Sequence, residues 1–329
     1  MGPRKRGGLM ATIFDIAHLA QTSKSTVSRV VSGNGYVSAE TRKRILAAMT
    51  ELHYVPSQIA RQMRSQRTQT IGFLMSGYTP VAGDYVNYFS KIAQTYQYRV
   101  NIYQTPTAAD ELNALNQLMT HEWDAAFILT RRNSWEKLVP YAQFGPLATW
   151  QRLDSDQIYS SYVDHYPLYQ KILAYLAAQG ITEIGHVFNS ATAVNTQARL
   201  RAIKVFQLNH PTIDQRWQLF YPTQEHAGAD AAEKWLALPH PPRAVVVYAD
   251  YVAAEFMATL RAHGKSVPAD CRVFGFDNSE FGRLMDLTTV DAQLKVQAEN
   301  AFRYLYNQSH QANLAFEKLH PRLVFRSTC

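Results

Sequence analysis

Thr12-Ile13-Phe14-Asp15-Ile16-Ala17-His18-Leu19-Ala20-Gln21-Thr22-Ser23-Lys24-Ser25-Thr26-Val27-Ser28-Arg29-Val30-Val31 is the stretch whose periodicity decides the fold of the N-terminal part of this 329-residue chain. Ile13, Ile16, Ala17 and Ala20 fall at i, i+3, i+4 and i+7, the spacing of one buried helical stripe, and Thr12 with Asp15 makes a capping pair ahead of it. Residues 21–24 break the pattern. A second stripe of Val27, Val30 and Val31 follows, with Ser23 placed to cap it. When those valines turn inward, Lys24, Ser25, Ser28 and Arg29 share the opposite face, a row of donors and hydroxyls suited to a major groove. Beyond the Gly33-Asn34-Gly35 loop, Ser38 opens a third helix whose Thr41, Ile45, Ala48 and Leu52 complete a small three-helix core.

Charge supports this division of the chain. Residues 1–68 carry 11 Lys+Arg and 3 Asp+Glu, a formal +8, whereas residues 69–329 carry 22 and 23, a formal −1. A basic block on a neutral body is the electrostatic footprint of a nucleic-acid-binding head, although an anionic membrane surface would attract the same charge. A solvated tail would lack the apolar periodicity that this block has. No run approaches the roughly 18 apolar residues of a membrane span, and no apolar stretch follows the basic N-terminus as a secretory signal requires, so a cytoplasmic location is expected. Two cysteines, Cys271 and Cys329, exclude disulfide frameworks and zinc fingers.

After the head, Pro56 punctuates, and the nine residues behind it read as one short helix with Ile59 and Met63 on one face. That is below the roughly 12–15 residues a helix needs to persist in water, so its folding should depend on a partner. From residue 70 the chain alternates β-rich runs at 70–76, 99–104, 124–130, 147–151, 184–189, 244–248 and 272–276 with amphipathic helical stretches. That pattern means parallel sheets covered on both faces. Some 250 residues of it make two open α/β subdomains, and ligands in such folds bind beyond the carboxyl ends of the strands, in the cleft. The first strand, Ile71-Gly72-Phe73-Leu74-Met75-Ser76-Gly77, carries no Gly-x-Gly-x-x-Gly, and the chain has no Walker lysine motif, Gly-x-Ser-x-Gly elbow or His-Glu-x-x-His. The eleven histidines lack ligand spacing. Neither an enzyme nor a bound cofactor is expected.

The runs Ala11-Thr12-Ile13-Phe14-Asp15-Ile16-Ala17 and Ser25-Thr26-Val27-Ser28-Arg29-Val30, continuing without a gap through Tyr54-Val55-Pro56-Ser57 into Ala60-Arg61-Gln62-Met63, resemble the lactose repressor/galactose repressor family of bacterial transcription regulators. Weaker but ordered similarity covers the rest of the chain. The resemblance implies a three-helix helix-turn-helix head plus hinge helix, then a periplasmic-binding-protein-like body of two doubly wound parallel α/β subdomains. In that arrangement residues 1–11 form a basic, disordered extension, 12–55 the head and 56–68 the hinge. Residues 69–329 form the body, with 69–163 and 293–319 in one subdomain and 164–290 and 320–329 in the other.

By the same resemblance Lys24, Ser25 and Arg29 read bases, while Ser23, Thr26, Ser28, Ser38, Thr41 and Tyr54 meet the DNA backbone. For Thr26 and Ser38 helix capping is an equally good role and a compatible one. Ser57, Ala60 and Met63 belong to the hinge at the minor groove, where Ser57 and Met63 stand in place of the family's usual Asn and Leu. In the body Arg199 and Asp277 match positions that hold sugar hydroxyls, a task that a guanidinium fork and a carboxylate suit chemically. Trp150 and Tyr78 are the aromatic faces expected in the cleft. Gln151 stands where relatives carry Asp, and Ala249-Asp250 where many carry Asn-Asp. Asp250 is therefore either a cleft residue or, more simply, a cap on the helix it begins.

The expected partners are a pseudo-palindromic double-stranded DNA operator, a sugar or sugar phosphate effector, and a second copy in a homodimer, since the last family-like strand, Leu319-His320-Pro321-Arg322-Leu323-Val324-Phe325-Arg326, leaves no room for a tetramerising tail. A silent cleft controlled by a protein corepressor is the alternative.

Overall fold

A computed structural model of the chain describes residues 11–32, 35–54, 67–222 and 225–329. Met1–Leu9, the Gly33-Asn34 pair and the hinge positions Ser57, Ala60 and Met63 lie outside the described residues. The chain divides into two compact units between Thr68 and Gln69.

In the first unit the expected stripes form three helices, Ile13–Leu19, Lys24–Ser32 and Ala39–Glu51. Ile16, Ala17, Ala20, Val27, Val30, Ile45 and Ala48 make one buried cluster. Each helix start is tied by local side chains, as the sequence requires. Thr12 N donates to Asp15 Oδ2 at 2.8 Å and Asp15 N to Thr12 Oγ1 at 3.4 Å, closing the capping box. Ser23 Oγ accepts from Thr26 N at 3.2 Å, and Ser38 Oγ from Thr41 N at 3.3 Å.

The second unit contains two parallel sheets. In the first, β1 (Thr70–Met75), β2 (Arg99–Gln104), β3 (Ala125–Ile128), β4 (Leu147–Thr149) and β5 (Ile158–Ser160) are ordered β2-β1-β3-β4-β5. In the other, β6 (Ile184–Phe188), β7 (Gln218–Phe220), β8 (Ala244–Val247) and β9 (Arg272–Phe274) are ordered β7-β6-β8-β9. All seven expected strands are present. The chain adds β5, β7 and β10 (Thr289–Asp291), and β10 pairs antiparallel with β11 (Arg322–Val324). The added strands are three residues long, as are β4 and β9, and are placed by the strands they pair with. In both sheets the strand that comes second in space, β1 or β6, is flanked by the next strand on one side and a later one on the other, so each has a topological switch point.

Helix Leu294–His310 returns to the first sheet, burying Leu294, Ala298, Ala301, Phe302 and Leu305 among Phe73, Phe89 and Phe127. Residues 319–329 then pack Leu319, Leu323 and Cys329 against the core over β6, β8 and β9. Tyr251 touches both the first subdomain's core and the second's. The two subdomains therefore face each other beside the strand ends.

Candidate functional sites

The recognition surface of the head is built by simple alternation. Val27 and Val30 are buried, whereas Ser23, Lys24, Ser25 and Arg29 are exposed and Thr26, Ser28 and Tyr54 half-buried. Ser23 Oγ lies 2.7 Å from Ser25 Oγ and 2.8 Å from Thr26 Oγ1, so three hydroxyls cluster at the N-terminal end of helix Lys24–Ser32. This end carries the positive pole of the helix dipole, and no acidic residue opposes it in the first turn. Ser38 and Thr41 form a similar pair, their hydroxyls 2.9 Å apart. Lys24 Nζ rests 3.2 Å above the ring of Phe14, itself 60% exposed. Phe14, absent from the expected site, thus shares a surface with a residue expected there. Arg29 runs alongside Gly35, where a Cβ would lie 3.3 Å from its Cδ and where the backbone has φ +91°.

In the body, every expected cleft residue follows a strand's carboxyl end or sits on the helix behind it. Tyr78 follows β1, Trp150 and Gln151 follow β4, Asp250 follows β8 and Asp277 follows β9. Arg199 is on helix Val194–Asn209, after β6. The structure gives these six different surroundings.

Arg199 is only 4% exposed, a long cationic side chain drawn almost wholly out of water. One guanidinium nitrogen donates to the Tyr248 carbonyl at 3.2 Å, and the group lies 4.4 Å from the ring centre of Phe276 and 5.9 Å from that of Tyr169. Its Nε has no partner among the described residues. Burial lowers its pKa, opposed by the attraction of Tyr169, Asp277 and Tyr248. Asp277 lies near enough to feel that charge, yet no hydrogen bond or ion pair among the described residues engages its carboxylate. Burial raises the Asp277 pKa well above the usual carboxylate range; Asp250 and Asp84 push it further and Arg199 opposes them. Its backbone sits at φ +112° and that of Asn278 at φ +53°, a region that residues other than glycine rarely adopt.

Around this pair stand groups that sequence reasoning missed. His165 stacks on Phe276 at 4.3 Å, and its Nδ1 has no partner among the described residues. Tyr248 and Tyr251 meet edge to face, with hydroxyls 3.5 Å apart. Asp84, in the first subdomain, is raised by burial, lowered by Arg283 and raised by Glu280, so its field comes from the facing subdomain. Tyr248 and Tyr251 flank Asp250 directly after β8, and the strand-end rule alone could have singled them out.

The remaining expectations fare unevenly. Trp150 packs edge-on to Tyr85 at 5.4 Å and is half-buried, while Tyr78 is 68% exposed and its ring covers Gly83 in the first turn of helix Pro80–Thr95. Gln151 Nε2 donates to the Leu129 carbonyl at 3.1 Å, so its amide nitrogen is engaged internally. Asp250 requires correction. Its side chain is fully buried, with Oδ2 accepting from Ser279 N at 2.8 Å and Ser279 Oγ at 3.0 Å, and Oδ1 from Thr289 Oγ1 at 2.5 Å. A carboxylate thus surrounded cannot touch a cleft ligand. Nor does it cap its own helix by a side-chain bond, since Ala249 occupies the N-cap. No helix among the described residues is long and apolar enough to cross a membrane, and the described residues hold no cluster of three or more metal-ligating side chains.

Comparison with known proteins agrees with both halves of this architecture. Residues 12–57 match the profile of bacterial regulatory proteins of the lacI family, and residues 173–329 that of a periplasmic binding protein-like domain. The chain is 28% identical to the NTD biosynthesis operon regulator NtdR of Bacillus subtilis, over 97% of this chain and 100% of that one. It is also 28% identical to the HTH-type transcriptional repressor PurR of Vibrio cholerae, over 97% and 98%. A solved lac repressor dimer bound to operator and the anti-inducer ONPF superposes with a TM-score of 0.83 at 22% identity, covering 97% of this chain and 98% of that one. The chain thus joins a DNA-binding head of the lacI family to a periplasmic binding protein-like body, and it is similar from end to end to bacterial transcription regulators.

Proposed function

We propose that this regulator is a repressor of a carbohydrate-utilisation operon whose grip on its operator is controlled by a small sugar or sugar phosphate in the cleft of the body. It acts as a regulator rather than an enzyme, without a cofactor, as a homodimer in the cytoplasm where operator DNA lies. The observation that carries the effector half is the Arg199–Asp277 pair: a buried guanidinium beside a half-buried carboxyl group, with a guanidinium N–H and the carboxyl oxygens unengaged among the described residues. An unengaged buried charge is costly, and a polyol offers each the partner it lacks, hydroxyl oxygens to the guanidinium and hydroxyl protons to the carboxylate.

The mechanism follows from the physics of the parts. Lys24, Ser25 and Arg29 present donors to base edges, Arg29 by a bidentate pair with a guanine edge, while Ser23, Thr26, Ser28, Ser38, Thr41 and Tyr54 fix register on the phosphates. Two heads meet the half-sites of a pseudo-palindrome. Operator contact by the two heads depends on how the paired copies present them to the half-sites. An effector that alters the cleft shifts this coupled equilibrium, and about 1–3 kcal/mol of coupling changes affinity several-fold to a hundredfold.

A second reading, control by a protein corepressor over a silent cleft, gains support from the internal bonds of the Asp250 carboxylate and the Gln151 amide nitrogen, which leave fewer polar groups to a ligand. A thermal-shift screen against mono- and disaccharides, their phosphates, polyols and nucleobases separates the two. A ligand at a hundred times its Kd adds about 2.7 kcal/mol to the native state. The effector reading expects a hit that Arg199→Ala and Asp277→Ala each abolish; a hit indifferent to both, or a blank panel, favours the corepressor.

A further inference from the structure

Asp250 and Asp277 follow the neighbouring strands β8 and β9, and Asp250 holds the turn after β9 from both ends. The Asp250 backbone N–H donates to the Phe276 carbonyl at 2.9 Å, just before Asp277. Its side chain receives the Ser279 amide at 2.8 Å and hydroxyl at 3.0 Å, just after Asn278. Between these anchors lie two residues at positive φ, +112° and +53°. Such a backbone persists only where its surroundings over-determine it.

The space for this carboxylate is built into the chain. Gly275 and Gly282 stand on either side, and a Cβ at either would come within 2.3 Å of Asp250 Oδ1 or 2.4 Å of Oδ2. Thr289 completes the ring, donating to Oδ1 at 2.5 Å while receiving the Asn278 amide at 3.4 Å. Asp277 N–H donates to the Val290 carbonyl at 2.9 Å, and Arg326 donates to Asn278 Oδ1 at 2.6 Å. The Asp277 carboxylate itself has no hydrogen-bond or ion-pair partner among the described residues.

We propose that Asp250 is a positioning residue for Asp277: it clamps both ends of the 276–279 turn and so holds the Asp277 carboxylate out to the cleft beside Arg199. This rests on the reading of the cleft as an effector site, but the clamp itself is testable with no ligand present. Removing the clamp frees the strained pair to relax to negative φ, and the carboxylate leaves its place while both sheets stay intact.

The test is amide hydrogen exchange on the full-length, ligand-free protein, comparing wild type with Asp250→Ala, Asp250→Asn and Ser279→Ala. Asp250→Ala is expected to speed exchange about tenfold or more in peptides spanning 276–280 and to leave β6 and β8 unchanged, because local opening draws on the lowest-stability segment first. Asp250→Asn, whose amide oxygen can still accept from Ser279 N, should restore most of the protection. Ser279→Ala, which keeps the amide bond and loses the hydroxyl, should fall between. If Asp250→Ala does not fold, the other two variants decide. Acceleration spread evenly over the second subdomain, or none at 276–280, overturns the proposal. A blank sugar screen beside a loosened turn would instead refute the effector reading alone.

Discussion

The head and the body hold their functional side chains by opposite means. In the head, Lys24, Ser25 and Arg29 stand in water, and the bonds that order their helix join residues two or three apart, such as Ser23 with Ser25 and Thr26. In the body, Arg199 is withdrawn from solvent and Asp277 half-buried, and the groups that hold them come from far along the chain: Tyr248 for Arg199, Asp250 and Val290 for the Asp277 turn. A DNA surface must be reachable by a wide, rigid partner, so exposure suits it. A small ligand is gripped by few contacts, and each is stronger where water is excluded. Substitutions in the head should therefore change binding without stability, and those around the cleft should change both.

The sharpest way to break that contrast is Gly275→Ala. Its Cβ would meet Asp250 Oδ1 at 2.3 Å and Leu287 Cδ2 at 2.5 Å, deep in the second subdomain. Overpacking of this kind costs about 1–3 kcal/mol, and the displaced carboxylate should bring the loss to the upper end of that range in urea unfolding. A loss under about 0.5 kcal/mol would mean that the turn region is as tolerant as the surface of the head.

Arg29→Ala is the counterpart in the head. Operator affinity should drop by about 1–3 kcal/mol, with the loss of preference confined to one base pair and the melting temperature unchanged. Binding titrations on operators varied one position at a time check this. An unaltered base preference would remove Arg29 from the reading surface.

The smallest effect concerns pH, and its sign separates two kinds of buried group. Burial raises Asp250 to about 6, and Asp277 is raised as well, so the folded state favours their protonated forms. Stability from these groups is full below the unfolded carboxylate pKa near 4 and is lost as pH rises through the folded value. The buried imidazoles of His165 and His186 act the other way. Burial lowers both, His186 to about 3, so their contribution is present above the unfolded value near 6.5 and is lost on acidification. The total profile mixes the two, and Asp250→Asn isolates one. Between pH 8 and pH 5 the wild type should gain about 1 kcal/mol relative to this variant, one pKa unit below the folded value. Parallel profiles would show that Asp250 does not titrate in that window.

How much of this was legible in the sequence differs between the two regions for the same reason. The three head helices, their caps and their buried stripes could be read directly, because each depends on neighbours within one or two turns. Seven strands could be read too. Strands β5, β7 and β10 could not, because their place is set by the strands they pair with. Arg199 and Asp277 came from family resemblance, and nothing local marks the first as buried or the second as strained. Asp250 was misjudged for an instructive reason. At the first turn of a helix an aspartate favours the dipole wherever its side chain points, so local logic cannot distinguish a cap, a ligand contact and a clamp.

The sequence by itself therefore determined the helix-turn-helix head, the alternating α/β body and the family that both resemble, since these follow from short-range periodicity, charge placement and motif order. Only the tertiary structure decided that the Asp250 carboxylate faces Ser279 and Thr289 rather than the cleft, that Gln151 turns to a backbone carbonyl, and that Tyr251 joins two cores. The physical reason is that burial and hydrogen-bond partners are properties of space, set by residues that the chain brings together from tens of positions away.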